Sequence, residues 1–203
     1  MARGISKRGL ADGRFTPQQT GQLDLEKLRD NLKALIGDSK SDCAGYVKSL
    51  LKQAEELTRN NPPEFQAPYP YNPPQFTNPL DRFDEFKFTM GRTGSLGGTT
   101  SGLLRDKTAI VHLVDLWHAP GGWESQPALV VEQTLAQIAL HEMIHLAGTS
   151  SSLGYGDMEL AIATSRLPDA PALTVDPKGK FAQGEYSKYW NEQLLLHCNF
   201  NKK

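Results

Sequence analysis

The chain has 203 residues, 22 Lys and Arg against 23 Asp and Glu, a formal net charge of -1 and a mean hydropathy of -0.47. A chain of this length buries roughly 70% of its unfolded surface as one domain and needs no staples to form a core. The charge balance gives no general attraction to nucleic acid or an anionic bilayer, and no run of 18 apolar residues exists to span a membrane. The start, MARGISKRGLADGR, lacks an apolar stretch of signal-peptide length.

Residues 1–22 lack periodicity and read as a flexible arm ahead of a single domain over 23–203. Leu25, Leu28, Leu32, Leu35 and Ile36 recur at helical spacing, and Gly37 stops the run. A second helix is predicted over 42–58, capped by Asp42 and buried through Tyr46, Val47, Leu50, Leu51, Ala54 and Leu57. The two should form an antiparallel hairpin. Residues 60–80 hold seven prolines and four asparagines, which predicts an extended wrap over the surface. A strand is expected over 83–90, then a glycine-rich loop at 91–102 that lacks the lysine-serine ending of a phosphate loop. KTAIVHLVDL at 107–116 is the clearest strand, apolar on both faces and so well inside a sheet. A loop around Pro120, Gly121 and Gly122 precedes a long helix from about 126 to 146, ended by Gly148. A short helix over 157–164, a loop over 165–183 and a terminal helix over 185–197, burying Tyr189, Trp190 and Leu194, complete the chain. The predicted class is α+β, mostly helical with a small sheet and one long site-bearing helix.

The long helix carries HEMIH at 141–145. His141 and His145 lie four residues apart, on one face, with side-chain origins about 6 Å apart. Two imidazoles so placed can reach one Zn²⁺ at about 2.1 Å each. Glu142 stands about 100° to one side, where a general base takes a proton from an activated water. The bland alternative is two histidines and a glutamate on a wet helix face. Leu140, Ile144 and Leu146 argue against it by making the surroundings apolar.

A third ligand is expected downstream. Asp157 follows His145 by 12 residues, across the Gly- and Ser-rich segment LAGTSSSLGYG. It sits at a predicted helix start, a place that also suits a carboxylate that merely caps. Glu159 competes with it, and Asp169, Asp176, Glu185 and His197 are more distant candidates. Tyr155 is a candidate donor to an oxyanion, or simply a packing residue beneath the loop. His112 is a second candidate donor, on the strand that could form the cleft edge. Asp115 could orient a ligand histidine, and His118 and His197 read as surface or outer groups. Thr99, Thr100, Trp117 and Trp123 are candidates for the cleft rim.

HEMIHLAG resembles the motif of the zincin metallopeptidases. The resemblance implies a mixed fold with a small sheet, an active-site helix and Zn²⁺ as cofactor. His141 and His145 would be ligands, and Glu142 the general base in peptide-bond hydrolysis by metal-activated water. An Asp third ligand is similar to the aspzincins, while Ser151 stands where the longer metzincin pattern has a histidine. The implied partner is a protein or peptide substrate, with no nucleic acid and no membrane. Two other readings stand beside it. One is a zincin-like metal-binding module without turnover. The other starts from DCAGYV at 42–47, which resembles the nucleophile segment of NlpC/P60 cysteine hydrolases, with Cys43 as nucleophile and His112 as its partner. Cys43 and Cys198, the only cysteines, could also form one long-range disulfide suited to an oxidising compartment. The sequence sets no location; a secreted or released effector domain is favoured over a cytoplasmic one.

Overall fold

The computed structural model describes residues 23–60, 78–91, 98–101, 109–114, 116, 122–148 and 155–200. The expected arm at 1–22, nearly all of the proline-rich segment, Asp115, Trp117 and His118 lie outside these residues, as do the side chains of Thr99, Thr100 and His112. Among the described residues the fold is α+β and dominated by helices.

Helix α1 (Leu25–Ile36) begins at Asp24, whose carboxylate accepts from the Glu26 and Lys27 N–H groups at 3.1 Å each. Leu28, Leu32, Leu35 and Ile36 form its buried stripe. Helix α2 (Asp42–Asn60) buries all six residues expected of it. Its cap is Ser41 rather than Asp42: Ser41 Oγ accepts from the Ala44 N–H at 3.1 Å and donates to the Leu35 carbonyl at 2.9 Å. One hydroxyl thus ties the end of α1 to the start of α2. The two helices touch, but each packs mainly elsewhere. Helix α1 lies against α3 (Ala128–His145), and α2 against α4 (Asp157–Ser165) and α5 (Ala182–His197).

The sheet has three strands, β1 (Phe86–Gly91), β2 (Gly98–Ser101) and β3 (Ala109–Val114), in the order β1-β3-β2. Strand β3 is central, as its two apolar faces predict. It runs parallel to β1, with Phe88 opposite Val111, and antiparallel to β2, with Thr100 opposite Val111. Two expectations change here. The first strand starts at Phe86, because Asn78 caps a 3₁₀ turn over Pro79–Glu85 that folds Phe83 into the core. Gly98–Ser101, read as loop, pairs as a strand because β3 offers it a ladder edge.

Helix α3 is the hub, contacting α1, α5, β2 and β3. Val131, Leu135, Ala136, Ala139, Leu140, Met143 and Ile144 are buried, so the helix is covered nearly all round along its second half. Leu129 and Val130, in its first turn, are exposed. After His145 a 3₁₀ turn over Leu146–Gly148 ends the element. Helix α4 is buried on successive positions Leu160, Ala161, Ile162 and Ala163, because α2 and α5 cover it from two sides. Cys43 at the start of α2 and Cys198 just after α5 form a disulfide, with Cα atoms 4.6 Å apart. The Cys43 thiol is therefore committed, and the cysteine-hydrolase reading falls with it.

Candidate metal centre

His141 and His145 project from the last turn of α3, one turn apart. Asp157 is the first residue of α4, brought back to them by the chain between the two helices. One potential ligand atom from each of the three lies within 4.8 Å of those of the other two. His141 Nε2 and His145 Nε2 are 3.2 Å apart, and His145 Nε2 is 3.5 Å from Asp157 Oδ1. Four ligands held tetrahedrally about Zn²⁺ at 2.0–2.1 Å are separated by about 3.3–3.4 Å. Both distances lie close to that edge length, so the donor set fits the ion. The three side chains are half-buried, which leaves access for a fourth group.

The outer nitrogens decide the protonation pattern. His145 Nδ1 donates to the Tyr155 carbonyl at 2.7 Å, and His141 Nδ1 donates to Asn191 Oδ1 at 3.0 Å. A neutral imidazole with its proton on Nδ1 presents a lone pair at Nε2. Burial pushes His141 down to about 3, with the neighbouring His145 adding to the effect, and burial also lowers His145. The two Nε2 atoms therefore meet lone pair to lone pair beside a carboxylate oxygen. Three acceptors converge with no proton between them, an arrangement that a cation resolves.

Helix α5 supplies the surroundings. Trp190, fully buried, stacks on His141 with ring centroids 4.0 Å apart and meets His145 edge-on at 5.2 Å. Its indole Nε1–H donates to Asp157 Oδ1 at 2.8 Å, while Gln183 Nε2 donates to Asp157 Oδ2 at 3.1 Å. One side chain thus touches all three candidate ligands.

Glu159, the expected competitor for the third position, is occupied elsewhere. Its buried carboxylate turns back to the N–H of Gly156 and to its own N–H, the reach-back half of a capping box. Burial raises its pKa, and these two hydrogen bonds oppose the rise. Gly156 makes room for it: a Cβ there would stand 2.5 Å from Glu159 Oε2. Of the more distant candidates, His197 pairs with Asp42 at 3.0 Å and stacks on Tyr46, and neither Asp169, Asp176 nor Glu185 joins the cluster.

Glu142 is buried beside the two histidines in sequence, and Tyr155 enters the site through its main chain, its ring packed into the core. His112 lies on β3 opposite Thr89 and Thr99. Trp123 belongs to a short 3₁₀ turn and packs partly on the core. Trp190, Asn191 and Gln183 were not identified as site residues from the sequence. Their contacts span 26 to 50 residues along the chain, and no local spacing announces them.

No family model matches this chain, and searches of curated proteins and of solved structures likewise give no match. The reading of the centre therefore rests on its own geometry: His141, His145 and Asp157 form a cluster able to coordinate a metal ion, consistent with a zincin-like metal site.

Proposed function

We propose that the protein is a zinc-dependent hydrolase that cleaves peptide bonds, with His141, His145 and Asp157 as ligands and Glu142 as general base. The observation that carries the metal assignment is the convergence of two Nε2 lone pairs and a carboxylate oxygen within 4.8 Å of one another, with His145 Nε2 near the tetrahedral edge length from each of the other two. Zn²⁺, when bound, supplies a Lewis acid that polarises the scissile carbonyl and acidifies a water. The chain does the rest. Tyr155 and Asn191 fix the imidazole tautomers, and Trp190 and Gln183 aim the Asp157 carboxylate. Glu142 takes a proton from the attacking water and passes it to the leaving amine. Tyr155 serves the centre through its main chain; a further role of its hydroxyl as donor to the oxyanion is a separate part of the proposal. The β2 edge lies against α3, where an extended peptide could add as a strand.

The hydrolytic step is supported by the position of Glu142 within HEMIH. A metal-binding module without turnover uses the same three ligands, and the burial of Glu142 favours that second reading. Glu142→Gln separates the two. The variant should keep one zinc per chain by elemental analysis and lose about 10²–10⁴-fold in peptide hydrolysis. Wild-type protein that binds zinc but cleaves no peptide in a mixed library leaves the module; absence of zinc removes both. The buried disulfide supports an oxidising compartment as the place of action. No helix among the described residues is long and apolar enough to cross a membrane.

A further inference from the structure

Asp157 is the first residue of α4, yet neither of its carboxylate oxygens serves the start of that helix. Gly156 holds the cap position without a side-chain hydrogen bond, and the Glu159 carboxylate takes up the Gly156 N–H and its own. Both Asp157 oxygens are instead engaged from α5. Trp190 Nε1–H donates to Oδ1 at 2.8 Å, and Gln183 Nε2 donates to Oδ2 at 3.1 Å. The two donors stand seven residues apart on α5, so two turns of one helix face present them together.

The two oxygens stand in different places. Oδ1 lies 3.5 Å from His145 Nε2, near the edge length of a tetrahedral zinc shell. Oδ2 is held by Gln183, an exposed residue, and is thereby drawn toward the surface. A carboxylate is planar, and its rotation about Cβ–Cγ is a soft torsion that decides how it meets an ion. A hydrogen bond on each oxygen fixes that rotation. Binding through Oδ1 alone needs no further turn. Binding through both oxygens needs Oδ2 to swing in beside Oδ1 and leave Gln183.

We propose that Gln183 is a positioning residue that holds Asp157 to one-point binding, and so gives the centre a preference for a small four-coordinate ion over a larger one. Zn²⁺ is satisfied by four ligands at short distance. Larger divalent ions gather more oxygens and readily take both oxygens of one carboxylate. Trp190 and Gln183 then have separate tasks. Trp190 bonds the oxygen that ligates and serves whichever cation is bound. Gln183 bonds the oxygen that does not ligate and selects among cations. The inference rests on the metal assignment of His141, His145 and Asp157, and it stands whether or not the centre hydrolyses peptides.

The test is the ratio of Zn²⁺ to Cd²⁺ affinity, each measured on the full chain by competition with a chromophoric chelator. Gln183→Leu removes the donor and should cut the preference for Zn²⁺ about three- to tenfold, the worth of one hydrogen bond. Gln183→Lys returns a donor able to reach Oδ2. Its added charge should weaken both ions, while the ratio stays within about twofold of wild type. Co²⁺ supplies a second readout, because four-coordinate Co²⁺ absorbs visible light more strongly than five-coordinate Co²⁺. The bands should be intense in wild type and fade in Gln183→Leu. Circular dichroism of each variant verifies folding. An unchanged ratio in folded Gln183→Leu, an equal loss of preference in Gln183→Lys, or cobalt bands of equal strength in wild type and Gln183→Leu overturns this inference and leaves the metal assignment standing. Failure of the wild-type chain to bind any of the three ions overturns both.

Discussion

His145 and Tyr155 hold each other by a reciprocal pair of hydrogen bonds. The Tyr155 N–H donates to the His145 carbonyl at 2.9 Å, and the Tyr155 carbonyl accepts from His145 Nδ1 at 2.7 Å. Ring orientation and return of the chain toward Asp157 are thus fixed by the same residue. Both contacts use the main chain, so Tyr155→Phe should leave zinc affinity within about twofold of wild type in a chelator competition, as outer contacts that persist leave the ligand basicity unchanged. A large loss would show that the hydroxyl, rather than the backbone, supports His145. With affinity preserved, a fall in peptide turnover of about 10²-fold would report an oxyanion donor.

Trp190 is expected to set the Asp157 carboxylate. Trp190→Phe keeps an aromatic face against His141 but removes the Nε1–H donor to Oδ1. Loss of such an outer-shell partner typically costs about 10–100-fold in metal affinity. Competition with a chromophoric chelator measures it. Wild-type affinity in this variant would mean that Gln183 alone is sufficient to hold Asp157.

Gly156→Ala should act on the same ligand from the other side. The new Cβ would approach Glu159 Oε2 to 2.5 Å, and the flexible carboxylate would swing away from the Gly156 N–H. Loss of this cap contact should cost about 1 kcal/mol, and Tm should fall by a few degrees. Asp157, one residue on, should lose metal affinity with it. A variant with unchanged Tm and affinity would show that Glu159 recaps from a shifted rotamer.

The metal-free protein should be labile to acid. Both imidazoles are neutral when folded, with partial burial holding His141 down at about 3, whereas in the unfolded chain they titrate near 6.5. Above that value neither state takes up a proton and their contribution to stability is complete. As pH falls from about 6.5 toward 3, the unfolded chain binds protons that the folded one refuses, and stability is lost. Glu159, whose pKa is raised, works in the opposite direction in the carboxylate range. Urea unfolding between pH 7 and 4 with chelator present should show a falling midpoint, flattened in His141→Asn. A pH-independent midpoint would contradict the neutral imidazoles.

The disulfide closes a loop of 155 residues. On the chain-entropy account such a closure stabilises by about 5 kcal/mol. Replacing Cys43 and Cys198 together by serine should lower Tm substantially and, because α5 carries Trp190, Asn191 and Gln183, weaken zinc binding as well. If affinity at a temperature where the variant is folded matched wild type, α5 would be seated by packing alone.

Much of this arrangement is legible along the chain where one residue face meets one partner. The stripes of α1 and α2 show at their true spacing because each helix buries a single side. The HEMIH pair and the Asp157 helix start are legible for a similar reason, since both are local. The Gly98–Ser101 strand is hidden because its pairing belongs to β3, not to its own composition. Glu159 could be separated from Asp157 only by seeing its carboxylate return to Gly156. The cysteines left two options open until α2 and α5 were seen side by side.

The ligands and the residues that orient them occupy different stretches of the polypeptide. During synthesis His141, His145 and Asp157 leave the ribosome before Gln183, Trp190 and Asn191 do. A nascent chain holding only the first three has His141 without its Asn191 partner and an unaimed carboxylate. Docking of α5 comes later still, as does the Cys43–Cys198 disulfide, in which both thiols lose their protons and pass two electrons to an external oxidant, so the centre matures only once that helix has emerged. Timing of this kind would keep the three ligands from acting as one finished centre while the protein is being made.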